Sequence, residues 1–418
     1  MIPELRNTFN TRFSRRAYTD LLVDLGCRCG GPIPFRVAET PIFLEKTLLD
    51  DLANEGAAIA QWLIADQDYL VAARAAIPPE YDVVNEAPHP NFLTADFAFV
   101  RTRSGELAPK LVEIQAFPSV FAYQVELSHA YTRAFDLPRS LGMFLGELDE
   151  ASYWELFRLT VVADHHPENV VLAEIDPLRQ KTYPDFHVTS QRLGIPIVDI
   201  AHIEPVDNKL HYRNEAGRLV PIDRIYNRAI VDELIARNVR LSFDLAREWE
   251  VEWAGHPNWY FLISKFSIPW LSRANRFPVV PPGVFVEDFL AGPGRQFLAD
   301  AGVRLLETRE AVYKDLLLKP LFSFAGKGIE FEPSQARLER IPPADRASYL
   351  VQEKMRFEPT IITPFGPTQA EIRILYFWPD NGDLTPALSL VRLGRGRMMG
   401  VDHNKDLEWV GGSAAFYI

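Results

Sequence analysis

Cysteine is scarce in this sequence, and the motifs of several common sites are missing. The 418 residues include only two cysteines, Cys27 and Cys29, separated by one arginine. This spacing lacks the four-ligand pattern of a structural zinc site, so we interpret both as free thiols in a reducing cytosol. The sequence also has no GxxxxGK(S/T) loop, no GxSxG turn and no HExxH helix. P-loop, α/β-hydrolase and zincin chemistry are therefore not indicated.

Long apolar runs and an excess of positive charge are also lacking. No stretch approaches the roughly 18 apolar residues of a spanning helix, and the first six residues contain no apolar signal core. The chain carries 56 acidic and 44 basic residues, which gives a net charge of −12. Such a chain is poorly suited to non-specific binding of nucleic acid or anionic membranes. We predict a cytoplasmic protein with small-molecule partners, and the oligomeric state stays open.

Length and patterning predict an α/β (α+β) protein with two or three domains. Residues 1–90 are predicted to be mainly helical, because apolar residues recur there at helical spacing. Residues 151–275 alternate between strands and helices, which indicates a partly parallel sheet. The aromatic residues Phe243, Trp249 and Trp253 are predicted to be the buried face of a helix. A segment with three prolines and a glycine, 276–283, is the clearest linker.

The stretch from Leu316 to Ile329 is the first candidate for a ligand site. An apolar run ends in Lys319-Pro320, a loop of small residues follows, and a second apolar run resumes at Ile329. Strand, flexible loop and strand can fold over a triphosphate, because glycines let N–H groups approach anionic oxygens and lysines add positive charge. An ordinary hairpin with a basic tip is the alternative that the stretch alone leaves open. The candidate ligands are Lys319, Ser323, Ala325, Gly326, Lys327 and Gly328.

A second candidate lies on a predicted hairpin that turns at Ser104-Gly105. Strand alternation places Glu113 and Gln115 on one face, with Val112 and Ile114 on the other. These two oxygen ligands, with Asp96 on the neighbouring strand, suit Mg²⁺, which uses one or two protein carboxylates together with phosphates and water. A solvated strand face is the alternative.

Further polar residues stand at predicted strand ends. Arg228 ends a strand, where the ligands of open sheets gather, and it suits a carboxylate or phosphate as well as a structural ion pair. Lys265 precedes the linker. Glu371 and Arg373 share one strand face, and Arg392 lies on the strand after the Asn381-Gly382 turn. A strand near the middle of the last third ends in Gln352, Glu353 and Lys354.

The order of these pieces resembles the ATP-grasp superfamily, particularly its glutathione-synthetase-like members. Those enzymes normally end in a Glu-x-Asn strand that holds magnesium, and too little chain follows Gly411-Gly412 to build one. The segment Glu113-Ile-Gln115 looks like that strand moved to the front. The arrangement therefore resembles a circularly permuted ATP-grasp, as in the synthetase domain of glutathionylspermidine synthase. Two departures are Gln115 in place of asparagine and a bulkier loop after Lys319.

The resemblance implies four regions and a reaction. These are a helical N-terminal region (1–90), a permuted metal-binding hairpin (91–126), a Rossmann-like α/β pre-ATP-grasp domain (127–275) and nucleotide-binding ATP-grasp subdomains (276–418). It implies an ADP-forming carbon–nitrogen ligase that uses ATP and Mg²⁺ to join a small or peptide carboxylate to an amine through an acyl phosphate. No side-chain nucleophile is needed.

The resemblance also assigns roles to the candidate residues. Lys265, Lys319 and the loop would hold the phosphates, and Gln352, Glu353 and Lys354 would contact the nucleotide. Asp96, Glu113 and Gln115 would hold Mg²⁺, and Arg373, Arg392 and Arg228 form the catalytic set. Two alternatives remain, namely a non-catalytic nucleotide-binding protein in assembly or regulation, and an α/β scaffold that binds no nucleotide.

Overall fold

A computed structural model describes residues 1–102, 104–305, 312–322, 326, 328–400, 404 and 406–418. Of the candidate loop, Ser323, Ala325 and Lys327 lie outside the described residues. The α helices in the described residues are α1 (Pro3–Arg12), α2 (Arg15–Arg28), α3 (Lys46–Ala65), α4 (Gln67–Arg74), α5 (Phe121–Ala134), α6 (Glu150–Val161), α7 (Tyr183–Leu193), α8 (Val231–Ala236), α9 (Trp259–Leu262), α10 (Ser267–Ala274), α11 (Val286–Ala291), α12 (Pro293–Asp300) and α13 (Gln335–Glu339).

Strands are spread over the whole chain and are joined in places by short 3-10 helices. The strands are β1 (Ile42–Leu44), β2 (Phe92–Arg101), β3 (Leu107–Gln115), β4 (Val170–Glu174), β5 (Ile197–Asp199), β6 (Glu204–Val206), β7 (Lys209–Arg213), β8 (Leu219–Ile222), β9 (Arg224–Asn227), β10 (Glu252–Ala254), β11 (Gly283–Phe285), β12 (Leu316–Pro320), β13 (Glu330–Phe331), β14 (Tyr349–Glu353), β15 (Ile361–Thr363), β16 (Gly366–Phe377), β17 (Thr385–Gly394) and β18 (Gly411–Tyr417). The 3-10 helices are Pro79–Tyr81, Pro167–Asn169, Pro177–Arg179, Ile200–His202 and Pro343–Ser348.

The largest sheet joins early and late parts of the chain. Its order is β1-β18-β17-β16-β2-β3, with β15 paired to β16. The β1–β18 pair is parallel, and the other pairs are antiparallel. Helix α3 packs on one face, where β2 contributes Leu93, Ala95 and Phe97, and α5 and α6 pack on the other. The predicted 91–126 hairpin therefore lies in one sheet with strands from the end of the chain.

The predicted hairpin forms, but a bulge changes which side chains share a face. Asp96 pairs with Glu113, whereas the next residue, Phe97, pairs with Leu111. Val112 is thus the extra residue of a β-bulge, which places consecutive side chains on the same side of the strand. Val112 accordingly lines the same cavity as Glu113, and the strict alternation predicted from the sequence was wrong at this position.

The middle of the chain forms a parallel sheet in the order β10-β9-β4-β5. This agrees with the predicted partly parallel sheet, and α7 connects β4 to β5. A small antiparallel sheet, β6-β7-β8, extends from it along the chain. The carboxyl ends of β4 and β9 lie side by side, because Ala173 pairs with Asn227. Side chains after these strands therefore meet at one edge of the sheet.

The remaining sheet is antiparallel, in the order β11-β14-β12-β13, and is called the third sheet below. Leu317 stands opposite Gln352, and Lys319 stands opposite Leu350. Because side chains alternate, Leu317 and Lys319 share one face, while Leu316 and Leu318 pack in a separate apolar core with Phe289 and Leu338. The sheet thus presents Lys319 and Gln352 on the side away from that core.

One secondary-structure prediction was wrong. Phe243 and Trp249 lie in an irregular segment and Trp253 on β10, so the predicted helix does not form. The N-terminal region is mainly helical, as predicted, and is interrupted by the short strand β1. Residues 411–417 form β18, which contains no Glu-x-Asn sequence. Among the described residues, the structure has no helix that is both long and apolar enough to cross a membrane.

Candidate active site

Three of the four sheets, namely the large sheet, the parallel sheet and the third sheet, surround a cavity of about 990 Å³. The large sheet contributes residues of β3, β16 and β17, the parallel sheet contributes the ends of β4 and β9, and the third sheet contributes β12 and β13. Most of the predicted site residues that the structure describes lie on its wall. They are Glu113, Gln115, Arg228, Lys265, Lys319, Gly326, Lys354, Arg373 and Arg392.

Four described candidates, Asp96, Gln352, Glu353 and Gly328, do not line this cavity. Asp96 and Gln352 are fully buried behind the wall. Glu353 follows Gln352 at the end of β14, and its main-chain N–H donates to the carbonyl of Pro282 at 2.8 Å. Gly328 has φ of +78° and Gly326 has φ of +72°, a backbone region that favours glycine. Met398 fills the space where a side chain at Gly326 would stand.

Two buried lysines from different parts of the chain meet on this wall. Lys265 precedes α10, and Lys319 lies on β12; they are 3% and 4% exposed. Burial lowers the pKa of Lys319 from 10.5 to about 8, since Glu113 and Glu371 offset only part of the cost and the charge of Lys265 adds to it. Lys265 Nζ stands 3.7 Å from Glu113 Oε2. Within the described residues Lys319 has neither a hydrogen bond nor an ion pair from its ammonium group, which leaves it available to an anion.

A charged ladder crosses β2, β16 and β17 under the cavity. Arg373 stands opposite Asp96, and Glu371 stands opposite Arg392. Arg373 donates to both oxygens of Asp96, from Nε at 2.6 Å and from Nη2 at 2.7 Å. Arg392 bridges Asp96 and Glu371 with short contacts to both carboxylates. The ladder fixes both guanidinium groups on the cavity wall.

The electrostatics of this ladder follow from burial and pairing. Burial alone would raise the pKa of Asp96, but Arg373 and Arg392 outweigh it and hold that pKa below its usual value. The pKa of Glu371 is raised by burial, with Arg392 opposing the shift. The pKa of Arg392 is raised, because Glu371 and Asp96 outweigh the cost of its burial. Asp96 is therefore a carboxylate over the whole physiological range of pH.

The three predicted magnesium ligands occupy different surroundings. Glu113 and Gln115 stand on the cavity wall, and Glu113 Oε1 lies 3.6 Å from Arg373 Nη2. Asp96 lies beneath them, and both of its oxygens already accept hydrogen bonds from arginines. In the parts of the chain that the structure describes, no three His, Cys, Asp or Glu side chains form a cluster that could hold a metal. These described side chains therefore do not form a metal site on their own.

Arg228 is held rigidly where β9 ends. Its Nη1 lies 3.4 Å from Asp185 Oδ2, and it donates to the Tyr226 hydroxyl at 3.2 Å and to the Ser119 carbonyl. The guanidinium also stacks over Phe186, with 5.1 Å to the ring centroid. Its Nε has no partner among the described residues. Such a clamped guanidinium is suited to orienting a carboxylate.

Gln352 is a buried amide whose polar atoms lack partners. It is 0% exposed, and neither Oε1 nor Nε2 forms a hydrogen bond within the described residues. An unsatisfied buried polar group costs about 1–3 kcal/mol. The neighbouring Lys354 is paired with Glu332 at 2.7 Å. Of these two predicted nucleotide contacts, Gln352 is therefore the one with unused hydrogen-bonding capacity.

The sequence reasoning missed several residues that line the cavity. Glu174, at the end of β4, could have been found by the strand-end rule that selected Arg228. Glu371 was noted beside Arg373 but was not included among the candidate ligands, although it lines the cavity and is 5% exposed. Ser119, which accepts from Arg373 at 3.2 Å, and Glu233 carried no local signal. Their positions depend on contacts between distant segments.

Comparison with known proteins identifies a similar architecture. One solved structure, a glutathione synthetase-like effector from Globodera pallida in its apo form, shares 11% sequence identity with this chain. The match covers 99% of this chain and 98% of the effector, with a TM-score of 0.54. No protein-family model and no curated protein sequence matches the chain. At this level of identity the likeness concerns the fold alone, so we conclude that the chain has a glutathione-synthetase-like fold.

Proposed function

We propose that this protein is an ATP- and Mg²⁺-dependent ligase of the ATP-grasp type that joins a carboxylate to an amine through an acyl phosphate. The observation that carries the proposal is the meeting of Lys265 and Lys319 with Glu113 on one cavity wall. The ammonium group of Lys319 is almost completely buried and forms no ion pair within the described residues, which is costly unless an anion compensates it. A nucleotide polyphosphate supplies that anion, and a wall carboxylate supplies a ligand for its metal.

The proposed nucleotide site lies between the third sheet and the large sheet. Lys265 and Lys319 bind the phosphates, and Gly326, which lines the same cavity, offers its backbone to them. The segment that follows β14, where Lys354 lines the cavity, binds the adenine edge. The unpartnered amide of Gln352 lies behind the wall and would join this contact only if it became accessible from the cavity. The hairpin β2–β3 comes early in the chain yet pairs with β16. This order supports the proposal that the ATP-grasp core is circularly permuted.

Glu113 and Gln115 are the proposed protein ligands of Mg²⁺, which would neutralise negative charge on the phosphates when bound. Two protein oxygens are sufficient where phosphates and water complete the coordination. Asp96 positions Arg373 and Arg392 in the present arrangement, and it would join the metal only if both arginines released it. The two arginines stabilise the negative charge that develops on the transferring phosphoryl group. Arg228 orients the substrate carboxylate.

The proposal is tested by nucleotide binding and by turnover. ATP with Mg²⁺ should raise the melting temperature, because a ligand that binds only the folded state adds about 2.7 kcal/mol at 100 times its dissociation constant. ADP should then be released when a panel of amino acids, small peptides and amines is added. Thermal scans and a coupled ADP assay measure the two effects. If ATP neither stabilises the protein nor is converted to ADP, the ligase proposal fails.

Replacing Glu113 with Gln should raise the Mg²⁺ concentration needed for half-maximal ADP release by at least about tenfold. The substitution keeps the side-chain volume but removes the negative charge that attracts the metal. Titration of Mg²⁺ at saturating ATP measures the effect. E287Q, which changes an exposed glutamate of α11, is the matched control. An E113Q variant with a wild-type magnesium titration would remove Glu113 from the metal site.

A nucleotide-binding protein without catalysis is the second candidate. Two observations favour it. Both oxygens of Asp96 accept hydrogen bonds from arginines, and Gln115 stands where ATP-grasp enzymes have an asparagine. This candidate predicts thermal stabilisation by ATP without ADP release for any acceptor. Detection of a ligated product by mass spectrometry would exclude it.

A further inference from the structure

The parallel sheet contributes its own section of the cavity wall, away from the two lysines. The ends of β4 and β9 bring Glu174 and Arg228 to this section, and α8 adds Glu233. Glu174 is 5% exposed, which is unusual for a carboxylate that is not fully paired. None of the nucleotide, metal or arginine roles proposed above uses it.

Glu174 is only half satisfied. Its Oε1 accepts a hydrogen bond from the N–H of Ile175 at 2.7 Å, whereas Oε2 accepts none from the residues that the structure describes. The side chain lines the cavity, so this oxygen is open to a ligand. Because the residue is only 5% exposed, a ligand that fills the cavity would displace the remaining water and would have to offer this oxygen a donor or a positive charge.

The arginines of β9 and α8 are already engaged by other carboxylates. Arg228 lies 3.4 Å from Asp185 Oδ2. Arg237, which directly follows α8, pairs with Glu233 at 2.9 Å and with Asp176 at 3.6 Å. Neither guanidinium forms an ion pair with Glu174, although both favour its charged form at longer range.

The cations that follow β4 on the same wall are Arg179 and Lys181. Arg179 is directed to Asp176 at 3.6 Å, and Lys181 has an interaction of its own. Among the ion pairs of the described residues, none includes Glu174. A cationic ligand is thus the missing complement of this carboxylate.

We propose that Glu174, together with Glu233, binds the ammonium group of the amine substrate. This inference rests on the proposed ligase function and specifies its acceptor as a primary amine that arrives in its cationic form. An ammonium group fills the unpaired position at Oε2 with a charge-assisted hydrogen bond. Arg228, on the same wall, can hold a carboxylate of the same ligand, so amino acids and diamines both fit the chemistry of the subsite.

Binding of the ammonium group should release the proton of the Glu174 carboxyl. The pKa of Glu174 is raised to about 8, mainly by burial and further by Glu233, with Arg228 and Arg237 opposing the shift. At pH 7 the ligand-free carboxyl is therefore mostly protonated. An arriving ammonium group favours the carboxylate, so the proton of the Glu174 carboxyl passes to the buffer while the amine keeps its own. Affinity should increase by up to about tenfold for each pH unit as the pH is raised towards 8.

Isothermal titration calorimetry with 1,4-diaminobutane tests the proposal without nucleotide. At pH 7, titrations in PIPES and in Tris give the number of protons released, which we expect to be close to one. The release should fall towards zero at pH 9. Glu174→Gln should abolish the release and weaken binding at least about tenfold, while E215Q, the same substitution at an exposed loop glutamate, should match the wild type.

The outcomes separate this inference from the ligase proposal. E174Q should keep the thermal stabilisation by ATP with Mg²⁺, which also shows that it is folded. Absence of diamine binding to the wild type at about 10 mM diamine, or binding without proton release at pH 7, overturns the ammonium subsite whatever the variant does. Diamine binding with proton release in a protein that never forms ADP would support the subsite and count against the ligase.

Discussion

Replacing Lys319 with Met should make the ligand-free protein more stable and abolish its response to ATP. The pKa of about 8 shows that the charged form of Lys319 is disfavoured in the folded protein. The depression from 10.5 corresponds to about 2–4 kcal/mol of unfolding free energy at pH 7, at about 1.36 kcal/mol per pKa unit. Methionine removes the buried charge and fills a similar volume. Urea denaturation of both proteins, with and without ATP and Mg²⁺, measures the two effects.

The difference in unfolding free energy between K319M and the wild type should decrease as the pH rises. The unfolded chain holds the Lys319 proton more tightly than the folded protein, so the cost is complete below pH 8 and disappears as the pH rises through 10.5. The advantage of K319M over the wild type should shrink over that interval. K209M, at a half-exposed lysine of β7, is the control and should change neither stability nor the ATP response. A K319M protein that is less stable than the wild type and still stabilised by ATP would contradict the proposed phosphate site.

Replacing Asp96 with Asn should destabilise the protein by about 3–5 kcal/mol, because a buried ion pair that loses one partner leaves uncompensated charge. In the wild type, Arg373 and Arg392 donate hydrogen bonds to the two carboxylate oxygens of Asp96. Asparagine replaces one of these oxygens with an NH₂ group, which is itself a donor and cannot accept from the arginines. The same variant should lose ADP formation, since the two arginines lose their orientation. Chemical denaturation at pH 7 measures the first effect and the ADP assay measures the second.

At acid pH, most of the difference in unfolding free energy between D96N and the wild type should disappear. The folded-state pKa of Asp96 lies below its usual value, so the stabilisation is present above about pH 4 and is lost as the pH falls through the lower, folded-state pKa. D20N, which changes a mostly exposed acid 3.9 Å from Arg16, should alter stability by less than about 0.5 kcal/mol. If D96N stays within about 1 kcal/mol of the wild type at pH 7, the ladder does not carry the stability that its burial implies.

Local sequence signals predicted the elements whose structure is decided locally. The β2–β3 hairpin follows from its Ser104-Gly105 turn, and β16 and β17 flank the predicted Asn381-Gly382 turn. The spacing of Phe243 and Trp249 predicted a helix that does not form. Their rings pack edge-to-face at 6.2 Å in an irregular segment, which tertiary contacts stabilise. β18 is rich in glycine and alanine, so its strand conformation depends on pairing with β17 and β1 rather than on propensity.

The sequence could predict which residues belong to the candidate site, but not which of their side chains form ion pairs with one another. Lys319, Glu113 and Arg373 could each be selected from strand ends and alternation. The register that places Arg373 opposite Asp96 joins segments far apart in sequence, and no local pattern specifies such a register. The bulge at Val112 is equally invisible to strict alternation. Buried ion pairs between distant strands are therefore the part that needed the structure.

The placement of β1 has a consequence for how the chain is made. Among the described strands, β1 pairs only with β18, and β2 pairs with β16. These N-terminal strands therefore cannot complete their sheet until the C-terminal strands have been synthesised. At about 5–20 residues per second, the delay during synthesis is on the order of tens of seconds. Ile42, Phe43 and Leu44, all buried in the finished sheet, have no strand partner during that time. Nascent chains should accordingly engage cellular chaperones through this apolar segment until residues 411–417 emerge.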